Sequence, residues 1–235
     1  MSRREFIALL GSALAAWPVA ARAQTAGRLR RIGVLSNSAE ADAEGTKRLA
    51  AFRLRLQELG WTEGKNLQID VRLAYTDAEH VRQAAAELTG IAPDAIVSTT
   101  STTTRALMNA TGNIPIVAAV SGDSIALGFT KNLSNPTGNI TGFTTFNDTL
   151  AAKPAMHSYA FETNNGALLS YGIDNVENFR RAAEYADRIL KGTRIADLPF
   201  QEPTRLTLAI NLRTARTIGV KVPPTLVALA DEVTE

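Results

Sequence analysis

From Arg31 to Phe143, short apolar runs alternate with amphipathic segments, and no other feature limits the possible folds as strongly. Ile32-Gly33-Val34-Leu35-Ser36 is an apolar run entered from basic residues and reads as a buried strand. Ala43 to Leu59 follows as a helix, with Leu49, Phe52, Leu56 and Leu59 on one face and Lys47, Arg48, Arg55 and Glu58 largely off it. Gly60 stops it, because glycine tolerates the left-handed backbone at a helix end. Leu67 to Tyr75 alternates apolar and polar residues as a half-exposed strand does, and Thr76-Asp77-Ala78-Glu79 has the capping-box pattern that opens a second helix to about Thr89. Pro93 to Ser98 predicts a third strand, Thr102 to Thr111 a third helix, Ile114 to Val120 a fourth strand, Ile125 to Leu133 a short helix, and Gly138 to Phe143 a fifth strand. Strands separated by helices pair in parallel through right-handed crossovers, so this stretch predicts one nearly complete doubly wound α/β lobe.

After Lys153 the alternation fails. Pro154 to Asn165 has neither helical nor strand period. Ala167 to Tyr171 and Leu206 to Leu212 read as strands, and Asp174 caps a helix whose apolar face is Val176, Phe179, Ala183, Ala186 and Leu190. Thr214 to Ile218 is a short helix, and Pro223-Pro224 opens a last helical turn. These strands are too few for a second doubly wound sheet. The domain organisation expected is 1–23 as a signal, 24–145 as the first lobe and 146–235 as a truncated second lobe with crossover segments.

The N-terminus carries its own information. Ser2-Arg3-Arg4-Glu5-Phe6-Ile7 sets an arginine pair before an apolar run to Trp17, and Ala21-Arg22-Ala23 gives the small-x-small pattern of a signal-peptidase site. The run falls short of the ~20 apolar residues a bilayer span needs. A twin-arginine export signal cleaved after Ala23 is therefore expected, with the twin-arginine machinery and a signal peptidase as partners and the periplasm as destination. Its removal takes three of the 25 basic and one of the 23 acidic side chains, which leaves the counts equal. A balanced chain offers no footprint for nucleic acid. The absence of cysteine excludes disulfides, thiolate metal sites, a cysteine nucleophile and a lipidated cysteine anchor.

Several stretches together resemble the ABC-transporter substrate-binding proteins of the tryptophan/tyrosine type: RREFI…WPVAARAQ, RRIGVL, AFRLRLQELGWTEGKN, PDAIVSTTSTTTRAL, IPIVAAVSGD, LSNPTGNITGFTTF, LLSYGIDNVENFRRAAEYADRILKG, LPFQEPTRLTLAINLRTARTIGVKVPP and LADEVTE. The resemblance implies a periplasmic-binding-protein-like fold: two α/β lobes joined by crossing strands, closing on a small solute by hinge motion. It also implies permease subunits of an ABC importer as partners, and an aromatic or branched amino acid as ligand. It jumps between Lys153 and Pro154, omitting roughly 90 residues of the second lobe, judged against lobes of ~100–150 residues.

In open parallel sheets, ligands bind beyond the carboxyl ends of the strands. That rule selects Ser36 and Asn37 after the first strand, Thr99, Ser101 and Thr102 after the third, Ser121 and Asp123 after the fourth, and Thr144 after the fifth. A hydroxyl-dense turn at a helix N-terminus suits a carboxylate, and Asp123 suits a ligand ammonium. Plain helix capping accounts for the Thr/Ser turn equally well, and a turn cap for Asp123. Tyr171 is a further ligand candidate, with packing on the core as the alternative.

No arrangement supports catalysis. His80 and His157 lack partners at metal or triad spacing, the G-x-G-x-x-G phosphate loop of a nucleotide-dependent oxidoreductase is absent, and Asp231-Glu232 reads as a solvated end. The expectation is a non-enzymatic binding protein without cofactor or metal. The alternative is a shortened, non-transporting paralogue that has lost ligand closure.

Overall fold

The structure, a computed structural model, describes residues 28–39, 42–75, 77–144, 156–157, 163 and 166–235. The expected export signal and the Lys153–Pro154 junction lie outside the described residues.

Five parallel strands form the first sheet: β1 (Arg30–Ser36), β2 (Leu67–Leu73), β3 (Ala95–Ser98), β4 (Ile116–Ser121) and β5 (Ile140–Thr144), in the order β2-β1-β3-β4-β5. Strands β3 and β5 are buried at every residue; β3 accordingly opens with a continuous apolar run, whereas β5 buries Thr141 and Thr144 beside Ile140 and Phe143. The chain leaves β1 in one direction to build β2, then returns to build β3 on the other side. The order therefore reverses between β1 and β3, where Leu35 stands opposite Ser98.

Both faces are covered. On one, α2 (Ala78–Gly90) and α3 (Ser101–Ala110) pack over Leu35, Ile96, Ile116 and Ile140. On the other, α1 (Ala43–Glu58) buries Phe52 and Leu56, as its periodicity predicts. The remainder of that face belongs to α4 (Asn175–Leu190), a helix from far along the chain that buries Phe179, Ala182, Ala183, Ala186, Ile189 and Leu190 in the same cluster as Val97, Val117 and Phe143. It crosses the boundary expected at residue 145 for a physical reason. The β4–β5 connection holds no helix, so that face would otherwise lie open. Trp61 Nε1 donates to Asp187 at 2.8 Å and Arg55 pairs with Glu184 at 2.8 Å, fastening α4 to α1. Ring packing of Phe143 against Tyr185, 5.0 Å between centroids, fastens it to β5.

Two local expectations are corrected. The segment Ile125–Leu133 is a set of turns, since Asp123 Oδ1 accepts from both Ile125 N and Ala126 N and Gly128 turns left-handed at φ 69°. The second helix is capped by Asp77, which accepts from His80 N, one residue later than the expected box.

The second sheet has the order β6-β7-β8-β9: β6 (Met156–His157), β7 (Leu169–Ile173), β8 (Leu206–Asn211) and β9 (Glu232–Thr234). Its central pair, β7 and β8, is antiparallel, while both outer pairs are parallel. Helices α5 (Leu212–Thr217) and α6 (Pro224–Ala228) link β8 to β9. The C-terminal acidic pair is not merely a solvated end: Asp231 Oδ2 accepts from Leu208 N at 2.9 Å and the following residues form β9. Before β8, Gln201 runs beside β5, accepting from Thr144 N and donating to Gly142 O, each at 2.9 Å.

Candidate functional site

The reversal of strand order between β1 and β3 opens a crevice at their carboxyl ends. Asn37 and Thr99 face each other across it: Asn37 N donates to Thr99 Oγ1, and Thr99 Oγ1 donates to Asn37 Oδ1, both at 3.3 Å. Ser36 is buried beside them, its Oγ accepting from Ser38 N at 3.2 Å. Ser101 Oγ accepts from Gly122 N at 3.0 Å, which ties the loop after β3 to the loop after β4. The chain thus gathers Ser36, Asn37, Thr99 and Ser101 from loops more than sixty residues apart in sequence.

Much of the hydroxyl-dense turn is committed to holding α3. Thr100 caps the helix in a box with Thr103, and Thr103 Oγ1 accepts from both Thr99 N and Thr100 N. Ser98 Oγ and Thr104 Oγ1 share a buried hydrogen bond of 2.6 Å. Thr102 is exposed on the first turn. Asp123 serves as a turn cap through Oδ1. Ser121 closes β4 opposite Thr144 after a register shift, and Thr144 is buried with its backbone bonded to Gln201. Tyr171 belongs to the second sheet, opposite Leu208 in the β7–β8 ladder, and is 38% exposed.

Next to the crevice is a cavity of about 370 Å³ with Ser36, Ser38 and Thr99 in its wall. Its apolar surface comes from Val34 and Val71 of the sheet, Leu49 of α1 and Phe179 of α4. A volume of this size lies within the range of small-molecule pockets. Arg48 and Arg53 of α1 also line it. The Arg48 side chain is only 16% exposed. Arg48 Nε donates to Glu44 O at 3.0 Å, Nη2 lies 3.5 Å from Asp42 Oδ2, and the guanidinium carbon sits 6.0 Å from the Phe179 ring centroid. Burial pushes the Asp42 carboxyl up, but the Ser38 hydroxyl, the Gly45 and Glu44 amides and the Arg48 charge outweigh it, so the group lies below its ordinary value.

The sequence pattern missed Arg48 because its class is charged, although it stands four residues before Phe52 and therefore on the same helical row. Phe179 had no such signal, since only the docking of α4 brings it to the cavity. His80 pairs with its own cap, Nδ1 to Asp77 Oδ2 at 2.8 Å. Among the described residues no group of three His, Asp or Glu side chains is placed to hold a metal.

The family model described as ABC transporter substrate binding protein matches residues 40–153 and 147–234. The chain belongs to this family. The match comes as two blocks that meet at 147–153, where the sequence pattern breaks. A tyrosine-binding protein of Clostridioides difficile is 30% identical over 91 residues, which cover 39% of this chain and 26% of that protein. The alignment therefore spans about a quarter of that curated relative.

Solved structures share the fold at low identity. A conserved domain protein from Vibrio cholerae superposes with TM-score 0.79 at 19% identity, covering 88% of this chain and 100% of that one. An ABC domain in complex with L-Trp from Streptococcus pneumonia gives TM-score 0.78 at 16% identity, with the same 88% and 100% coverage. A ligand-free, open substrate-binding protein with adhesive properties from Clostridium difficile gives 0.70 at 17%, covering 87% and 99%. The fold is periplasmic-binding-protein-like. Proteins of this family are solute-binding and generally extracytoplasmic, and among the described residues no helix is long and apolar enough to cross a membrane.

Proposed function

We propose that the chain is the solute-binding component of an ABC importer, taking an amino acid or related small carboxylate at the carboxyl edge of the first sheet. The observation that carries this reading is the cavity beside the β1/β3 crevice, with Ser36 and Thr99 in its wall and Arg48 held beside them. The Ser36 hydroxyl donates to a ligand oxygen, the guanidinium supplies positive charge, and the apolar wall receives a side chain. Asn37, Ser101, Thr102, Ser121, Asp123 and Thr144 at the edge of the first sheet, and Tyr171 on the second, remain ligand-binding candidates for an interlobe cleft. No catalytic step is part of this role. Residues 1–23 act as the export signal, cleaved after Ala23 in the periplasm, and permease subunits receive the loaded protein.

Ligand that binds only the folded chain stabilises it by ~2.7 kcal/mol at a hundredfold excess over its dissociation constant. Thermal melts with L-tryptophan, L-tyrosine and small carboxylates are expected to register that gain. A flat response across the panel ends this reading.

A second reading has its own support: the two-block family match and the small second sheet fit a shortened paralogue that no longer closes on ligand or transports. Small-angle scattering with and without a stabilising ligand separates the two. Compaction on binding favours the importer component, and binding without compaction favours the shortened paralogue.

A further inference from the structure

We infer that the cavity beside β1 and β3 selects an organic anion with an apolar body and no ammonium group, such as an arylalkyl carboxylate, over the matching zwitterionic amino acid. The inference rests on the solute-binding reading and narrows its ligand class.

Among the described residues the wall holds two guanidinium groups, those of Arg48 and Arg53, the latter 3.4 Å from Glu63, and neither an aspartate nor a glutamate. The carboxylates nearby are otherwise occupied. Asp42 caps α1, accepting from Glu44 N at 3.0 Å, and its other oxygen faces Arg48. Asp123, which the sequence offered as an ammonium acceptor, gives Oδ1 to two backbone amides and does not line the cavity.

A ligand ammonium brought into this space would be desolvated beside like charge, and among the described residues the side chains of the wall offer it hydroxyls and no carboxylate. A carboxylate meets the opposite situation. The contacts of Arg48 with Glu44 and Asp42 engage Nε and Nη2, and a guanidinium has five N–H donors, so further donors remain for a ligand oxygen. Ser36 adds a hydroxyl from the wall, while the hydroxyl hydrogens of Ser38 and Thr99 go to Asp42 and Asn37. Val34, Leu49, Val71 and Phe179 give the apolar body its contact surface. The volume of about 370 Å³ accommodates one ring system on a short chain.

The test is calorimetric titration of the full chain with matched pairs: 3-phenylpropionate against L-phenylalanine, and indole-3-propionate against L-tryptophan. Each carboxylate is expected to bind at least tenfold more tightly than its amino acid. Equal or tighter binding of the amino acids overturns the inference and leaves the solute-binding reading standing. Binding of neither member of either pair overturns both. Arg48→Gln is expected to erase the preference. Because Arg48 also braces the start of α1, Leu49→Trp provides a second variant that fills the cavity from its apolar wall. It is expected to abolish carboxylate binding with the circular dichroism spectrum unchanged, and undiminished binding by that folded variant would overturn the assignment of the cavity.

Discussion

Every residue of β3 and β5 is buried, whereas β9 has none buried and Val233 on it is 40% exposed. The first sheet is covered on both faces by helices, and its two apolar clusters contain nearly all the large buried side chains. The second sheet contributes Ile173 to one of those clusters, with Leu206 packed against it, and its other buried strand positions include Ser170, Thr207 and Asn211. A parallel sheet needs both faces covered because its connections are helices, while a mixed sheet with an antiparallel centre tolerates exposure on one side. The two regions should therefore respond very differently to damage.

The largest expected effect is in the first sheet. Gly142 has φ 150°, and a Cβ there would lie 2.1 Å from Ala118 O of the neighbouring strand. Backbone cannot yield by that much without separating β4 from β5. Gly142→Ala is expected to cost more than ~4 kcal/mol, a large fraction of a typical domain's stability, and to appear as loss of the cooperative thermal transition. An intact transition would mean that β5 is dispensable to the first sheet.

Next come the contacts that bind α4 to the first lobe. Phe143→Ala removes a fully buried ring that packs on Tyr185 and lies 4.6 Å from the Arg181 guanidinium carbon, with a loss of ~3–5 kcal/mol expected in urea unfolding. Trp61→Phe keeps an aromatic ring but deletes the donor to Asp187, and ~1–3 kcal/mol is expected. Hydrogen exchange sharpens the result. Amides of α4 should slow and quicken with those of β3 and β4, not with β7 to β9. The opposite grouping would assign α4 to the second region.

Elements governed by their own residues were legible before any coordinates. Phe52 and Leu56 face the core because their spacing matches the helical period, and Asp174 caps α4 by accepting from Glu177 N, as its position before that helix predicts. The loops after β1 and β3 were legible too, since the strand positions and the rule that ligands bind beyond carboxyl ends select them, whereas the strand order that brings them together was not. What escaped depends on distant partners. The face that α4 covers is set by the empty space over β3 to β5, not by any motif in 175–190. The strand β9 exists because Leu208 offers its backbone to Asp231. Of the candidate site, Ser36 and Thr99 were readable as loop positions, but Arg48 was assigned to the polar side of its helix and Phe179 to a different lobe. The cavity between them is a product of tertiary docking, which local periodicity does not encode.

The smallest effect is the one that best probes the second sheet. Ser170 lies on β7 opposite Ala209, fully buried, and its Oγ finds no hydrogen-bond partner among the described residues. An unsatisfied buried hydroxyl costs ~1–3 kcal/mol relative to a satisfied one, so replacing it with a methyl of similar size removes a penalty without opening much space. In the first sheet the comparable change, Ser98→Ala, would instead break a buried hydrogen bond of 2.6 Å to Thr104. Here Ser170→Ala is expected to leave stability unchanged or raise it by up to ~1 kcal/mol, with the gain confined to slower amide exchange in β7 and β8. A loss of more than ~1 kcal/mol would mean that this hydroxyl is bonded in solution, and that the second sheet carries a satisfied polar interior instead of a penalised one.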